Sequence, residues 1–290
     1  MTGLATEFDK DNPMNLEQPV VPDPAKIKDY KQEYALRELR RIVQYGRVRC
    51  LSAREVIEKI CNIDVESDSI DYIKRLQELT LTDADFQYLE SGMNALAARS
   101  EGAGSKLKIR IDRTILRCVR LLPSDLAARF AEPYVNHRRK TRRGWAYTAL
   151  REKQISSTIA ARLRETFHQT GDENALRLIV RNPDKVIEVG ADFLIANIKE
   201  RYWRARIIQA LITYDRPKAL VFARKYPFEF AHAAGRSGDR SVLNALRSLF
   251  DANSHDVEFL SIYAYALGKL NCREGLELLE AFVNETWLDV

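Results

Sequence analysis

From Lys26 onward, apolar residues recur with the 3.6-residue period of an α-helix almost without interruption. Residues 28–49 form the longest segment of this kind and predict an amphipathic helix whose apolar positions include Tyr34, Leu36 and Leu39. Further helices are predicted over 52–60, 69–79, 82–99, 106–121 and 124–135. Residues 101–105 contain two glycines and predict a flexible loop that can act as a hinge. The pattern therefore indicates an all-α protein.

Beyond Arg138 the helices alternate with short polar breaks at a regular spacing. Taking every second helix as the first of a pair, the first helices start near 138, 172, 199, 228 and 256, at intervals of 34, 27, 29 and 28 residues. Two of the breaks, at Asn182-Pro183 and at Asp215 with Pro217, place a polar cap before a proline in the first helical turn. Repeated helical pairs of this length are typical of a helical solenoid.

Three of these first helices share a small residue followed by leucine: Ala149-Leu150, Ala210-Leu211 and Ala266-Leu267. Alanine at such a position lets two helix backbones approach closely. The segment 262–283 (IYAYALGKLNCREGLELLEAFV) resembles a HEAT-like repeat of the short form, about thirty residues long, and the resemblance is clearest over 256–286. It implies a right-handed α-solenoid, an architecture that mostly serves as an interaction scaffold.

The predicted organisation has three parts. Residues 1–25 are acidic and contain four prolines, which predicts a disordered acidic arm. Residues 26–135 form a less regular helical N-terminal portion, and 136–290 form the HEAT-like solenoid. The last helix, near 274–285, combines an apolar face with an acidic one and is expected to cap the solenoid.

The composition predicts a globular protein and limits where it can be located and what it can bind. Of 290 residues, 46% are hydrophobic and 30% are charged, which is typical of a globular protein with a sizeable core. The sequence lacks a run of 18 apolar residues and a basic, then apolar N-terminal signal, so we expect no membrane association and a cytoplasmic location. Four widely spaced cysteines and four histidines without metal-ligand spacing predict neither a disulfide, nor a metal site, nor a cofactor.

The net charge of +5 is concentrated in two blocks: 12 basic against 4 acidic residues over 101–150, and 10 against 3 over 201–250. Within them lie two basic clusters, each with a tryptophan, near the start of a first helix. The candidate partner-binding residues are Arg138, Arg139, Lys140, Arg142, Arg143, Trp145, Arg201, Trp203, Arg204 and Arg206. Positive charge at a helix N-terminus opposes the helix dipole, so either carboxylates of the next unit or a polyanionic ligand should compensate it.

We therefore expect a non-enzymatic binding scaffold that uses its basic solenoid surface to hold an acidic protein partner. The alternative is a nucleic-acid-binding protein, because arginine and tryptophan together also suit a phosphate backbone and its bases. Tyr202-Trp203-x-x-Arg206 is faintly similar to helices of HEAT-like alkylpurine DNA glycosylases, which implies a carboxylate near a tryptophan; Asp192 and Asp215 are the candidates. A third interpretation is that the arginines join neighbouring repeats through salt bridges.

Overall fold

The computed structural model describes residues 24–64, 69–253, 256–271 and 273–286. Within these ranges the chain consists of α-helices, two short 3₁₀-helices and the breaks between them, with no β-strand. The predicted all-α class is confirmed. The predicted acidic arm, 1–25, lies outside the described residues except for its last two positions, where the first helix has already begun.

The chain divides into two compact units, residues 1–52 and 53–290. The first unit contains α1 (Pro24–Arg49), four residues longer at its start than the sequence pattern predicts. Pro24 occupies the first helical position, where its missing N–H has no helical partner to lose. Most apolar residues of its predicted face are exposed, with Leu39 and Ile42 at 57% and 63% of their full area, whereas Val48 near its end is buried.

The second unit begins with five α-helices that match the predicted segments closely. They are α2 (Ala53–Cys61), α3 (Ile70–Glu78), α4 (Asp83–Gly102), α5 (Ser105–Cys118) and α6 (Ser124–Ala131). Thr82 and Asp85 close a reciprocal capping box at the start of α4, and this hydrogen bonding lowers the pKa of Asp85. Because α4 continues through Gly102, the predicted hinge at 101–105 contracts to two residues between helices that pack against each other.

Eleven further α-helices follow in the described part of this unit. They are α7 (Lys140–Leu150), α8 (Ser157–Thr170), α9 (Glu173–Val180), α10 (Pro183–Val189), α11 (Ala191–Asn197), α12 (Arg201–Tyr214), α13 (Arg216–Lys225), α14 (Pro227–Ser237), α15 (Leu243–Asn253), α16 (Val257–Leu270) and α17 (Arg273–Thr286). The predicted first helices correspond to α7, α9, α12, α14 and α16, and each starts within two residues of its expected position. Gly190, at φ +101°, divides the second helix of one pair into α10 and α11.

Helices of the second unit contact both their neighbours in sequence and the helices next but one. We call α5, α7, α9, α12, α14 and α16 the first layer, because each contacts the following member of this series. The intervening helices form equivalent contacts, such as α2 with α4, α4 with α6, and α13 with α15. The alternation therefore begins before residue 136, and the arrangement is consistent with a helical repeat.

Small residues set the closest approach within the first layer. Ala149, Ala210 and Ala266, the alanines of the shared sequence motif, are all buried. At the contact between α14 and α16, a Cβ added to Gly235 would lie 2.9 Å from the Cα of Ala266 and 3.0 Å from Cε1 of Tyr265. These two backbones are thus too close for any side chain at position 235.

Gly235→Ala is expected to lower the free energy of unfolding by about 1–3 kcal/mol, because the added methyl must push the backbone of α16 away. The matched control is Gly268→Ala, since an added Cβ at Gly268 in α16 meets nothing within 4 Å. That variant should be more stable by up to about 1 kcal/mol through helix propensity. Urea denaturation followed by circular dichroism measures both, and equal effects would contradict the close approach.

Candidate binding surface

The first basic cluster lies largely inside the protein. Arg142 is only 2% exposed, and its guanidinium lies 3.9 Å from the centroid of the Trp145 ring, which is itself fully buried. Its Nη2 donates hydrogen bonds to Ser100 Oγ at 3.1 Å and to Glu101 Oε1 at 2.8 Å, both in the last turn of α4. Helical spacing produces this arrangement, because residues three apart share a face and position 145 faces the core.

Arg143 is also buried and paired, but with α9, the next helix of the first layer. Its Nε and Nη2 lie 3.1 Å and 3.0 Å from Asp172 Oδ2, and both side chains of this pair are less than 8% exposed. Asp172 also accepts the N–H of Asn174 as the N-cap of α9, and the hydroxyl of Tyr147 donates to it at 3.4 Å. Burial, followed by the charge of Asp172, raises the pKa of Tyr147.

The remaining members of this cluster are more accessible. Arg139 donates to Glu101 Oε2 at 2.9 Å, while Arg138 and Lys140 are exposed to solvent. The charge of Arg142, with a smaller contribution from Arg139, holds the pKa of Glu101 below its usual value although desolvation opposes it. The N-terminal charge of α7 is therefore compensated by carboxylates of neighbouring helices, one of the two explanations that the sequence allows.

The arginines of the second basic cluster, at the start of α12, are likewise bound by acceptors within the protein. Arg201 pairs with Glu258 of α16 at 2.6 Å, and Arg204 donates to the carbonyl of Ile198 at 2.8 Å. Arg204 also lies 3.9 Å from Glu229, a buried carboxylate of α14. Most of the predicted binding arginines thus join neighbouring helices.

A different set of cations remains without an internal counterion. Arg151 and Arg181 follow the last residues of α7 and α9, Arg206 lies within α12, and Arg236 and Lys269 lie in the last turns of α14 and α16. We call these five residues the cation row. Among the residues that the structure describes, none of the five lies within 4.0 Å of a carboxylate oxygen, in contrast to Arg142, Arg143 and Arg201.

An open groove of about 390 Å³ lies along the cation row between α7, α9 and α12. Its lining is basic and polar and includes no carboxylate; the residues are Gly144, Tyr147, Thr148, Arg151, Asn174, Arg177, Leu178, Arg181 and Trp203. The Arg181 guanidinium lies 5.1 Å from the centroid of the Trp203 ring, which is only 8% exposed. Burial, then the charges of Arg151 and Arg206, lowers the pKa of Arg181. The groove is therefore a positively charged, partly desolvated surface.

Aromatic side chains continue the surface across the next two helices. Arg206 Nη1 donates to the hydroxyl of Tyr202 at 3.3 Å, and this hydrogen bond is the main cause of the lowered pKa of Tyr202. The guanidinium of Arg236 lies 5.6 Å from the Tyr202 ring, and Lys269 lies 5.9 Å from the ring of Tyr265. Arg206 Nε is buried without a hydrogen-bond partner among the described residues.

Of the predicted site residues, the structure places Arg206 and Trp203 on this surface. It places Arg142, Arg143 and Trp145 in the interior, and Arg201 and Arg204 in contacts between helices. Sequence reasoning missed Arg151, Arg181, Arg236 and Lys269 because it searched for dense clusters. Their signal is a single cation once per repeat, with the five residues of the row separated by 30, 25, 30 and 33 positions.

The candidate catalytic carboxylates have structural contacts. Asp192 pairs with Lys218, and Asp215 accepts the backbone N–H of the same Lys218 as the N-cap of α13.

Within the described ranges, no group of three or more histidine, cysteine, aspartate or glutamate side chains is suited to hold a metal ion. No helix among those residues is both long and apolar enough to cross a membrane.

Comparison with known proteins gives no relative: no family model, no curated protein and no solved structure matches this chain. Any function must therefore be argued from the residues themselves.

Arg143→Met should lower the free energy of unfolding by about 3–5 kcal/mol, because it leaves the buried carboxylate of Asp172 without its cation. Lys140→Met, an exposed position three residues earlier, should change it by less than about 0.5 kcal/mol. Chemical denaturation measures both variants. Equal stability of the two would show that the Arg143–Asp172 pair does not hold α7 to α9.

Proposed function

We propose that this chain is a non-enzymatic binding scaffold, a right-handed solenoid of HEAT-like helical hairpins that holds an acidic protein partner along the cation row. The repeat identity and the handedness belong to this proposal, and the contacts between alternate helices support a helical repeat. The free thiols of Cys50, Cys61 and Cys118 suit the reducing cytoplasm, where we place the protein.

One observation carries the proposal: the surface cations of the row lack carboxylate partners, although the protein pairs most of its other first-layer arginines. A row of like charges is unfavourable by itself, and the lowered pKa of Arg181 reflects the repulsion by Arg151 and Arg206 as well as burial. An anionic ligand would remove this repulsion and accept hydrogen bonds from the guanidinium groups of the row. Binding energy would thus come from interactions that are missing in the free protein.

The chemistry of the row favours carboxylates on a protein chain. Arginine forks match a carboxylate in a bidentate manner, and arginine, tyrosine and tryptophan are the residues enriched at the centres of protein interfaces. Trp203 is only 8% exposed and Arg181 lies over its ring, so this tryptophan offers no free face on which a base can stack. Nucleic acid, whose phosphates would meet the same guanidinium groups, is the competing ligand class.

The glycosylase-like alternative finds less support in the groove. Its chemistry requires a carboxylate beside an accessible tryptophan, and the lining residues around Trp203 include none. Asp172, which contacts Tyr147 of the lining, is occupied by the Arg143 ion pair and the cap of α9. We therefore propose no catalytic step.

Replacing Arg181 and Arg206 together by glutamine should weaken the binding of a fluorescently labelled polyglutamate peptide about tenfold. The two cations contribute neighbouring contacts, each worth about 0.2–1 kcal/mol at an exposed ion pair. Fluorescence anisotropy at low salt and at physiological salt provides the affinities.

The matched control is the pair Arg162→Gln and Arg216→Gln, which removes two exposed arginines of α8 and α13 that already have carboxylate partners. Its affinity should stay within about twofold of the native protein. Equal losses in the two double variants would mean that net charge, and not the cation row, governs binding.

A further inference from the structure

The spacing of the cation row restricts the conformation of a bound acidic segment; this inference rests on the proposed function. Each cation lies within, or directly after, a different helix of the first layer, and consecutive helices from α7 to α16 in this layer are in contact. Packed helices lie about 8–10 Å apart, so the row offers roughly one positive charge per 8–10 Å along the direction of stacking. A ligand that meets every cation must repeat its carboxylates at the same distance.

The three regular conformations of a peptide differ in this repeat. An α-helix returns to the same face after seven residues at about 10.5 Å, which is longer than the spacing of about 8–10 Å in the row. A β-strand repeats on one face every second residue, at about 6.6–6.8 Å. A polyproline II helix repeats every third residue at about 9.3 Å, which matches the row.

The groove also has the side chains that such a conformation needs. The backbone of a polyproline II segment has no internal hydrogen bonds, and the exposed Asn174 and the half-buried Thr148 line the groove as polar groups. Proteins that bind this conformation use grooves with aromatic side chains, and here the exposed Tyr202 lies beside the groove, against the ring of Trp203. The guanidinium groups of Arg206 and Arg236, which lie against Tyr202, favour a ligand with negatively charged side chains.

We propose that the cation row recognises an acidic, extended segment in the polyproline II conformation, with Glu or Asp at every third residue. Five carboxylates at this spacing extend over about 37 Å, and the four intervals between the five cations of the row extend over about 32–40 Å. The ligand class is thus an acidic linear motif of a protein.

Three labelled probes test this with the full chain by fluorescence anisotropy. The first is a Glu-Pro-Ala repeat of about 15 residues, in which proline favours the extended conformation. The second has the same composition with its glutamates contiguous. The third is a deoxythymidine oligonucleotide of about 15 nucleotides. We expect the periodic peptide to bind about fivefold more tightly than the contiguous one, because more carboxylates meet a cation at once.

A double variant tests whether the preference for the periodic peptide depends on the length of the cation row. Exchanging Arg236 and Lys269 for glutamine shortens the row by two helices, so the preference for the periodic peptide should fall to about twofold or less. Thermal unfolding of the same variant, followed by circular dichroism, establishes that the protein remains folded.

The outcomes separate this inference from the proposed function. Equal affinity for the two peptides overturns the polyproline II inference and leaves the acidic-partner scaffold in place. Tight binding of the oligonucleotide, with neither peptide bound, overturns both and identifies nucleic acid as the ligand class. If no probe binds even at low salt, the cation row is not a polyanion site and both proposals fail.

Discussion

Arg142 and Arg143 are adjacent in the first turn of α7, yet one is held by α4 and the other by α9. Burying two guanidinium groups is unfavourable unless each meets a carboxylate in good geometry, so these two ion pairs restrict how the three helices can pack. The contact with Glu101 joins helices that are not consecutive in the chain. Unfolding of one helical pair therefore leaves a buried charge unpaired in another, which couples the stability of neighbouring pairs more strongly than apolar packing alone.

Helices of the first layer carry cations near both of their ends, but the N-terminal cations are paired with carboxylates, whereas among the described residues the C-terminal cations of the row are not. Cations near the N-termini of α7 and α12 oppose the helix dipole and receive carboxylates from adjacent helices. Cations near the C-termini of α7, α9, α14 and α16 agree with the dipole, so they are tolerated there without a counterion. The polarity of the helix thus explains four of the five cations of the row, whereas Arg206 lies in the first half of α12.

Periodicity was sufficient to place the helices, because the apolar face of each one is local in sequence; the starts of α9 and α16 were each predicted to within one residue. The small residue before Leu267 likewise signalled a close approach, which Gly235 completes. Charge partners were not predictable in this way. Glu101 and Asp172 lie 41 and 29 positions from the arginines they bind, and nothing in the local pattern indicates such pairs. For that reason, the basic cluster around Arg142 and Arg143, which the sequence suggested as a ligand site, mainly forms ion pairs between helices.

The two tryptophans of the first layer differ in a way that gives the protein an internal optical reporter. Trp145 is fully enclosed, so its fluorescence depends only on the integrity of the fold. Trp203 forms part of the groove and its ring lies beneath the guanidinium of Arg181. Any ligand that draws Arg181 away changes the electric field at this indole while leaving Trp145 untouched. With Trp287, which lies outside the described residues, replaced by phenylalanine, occupancy of the groove and loss of structure are therefore distinguishable spectroscopically without attaching a label.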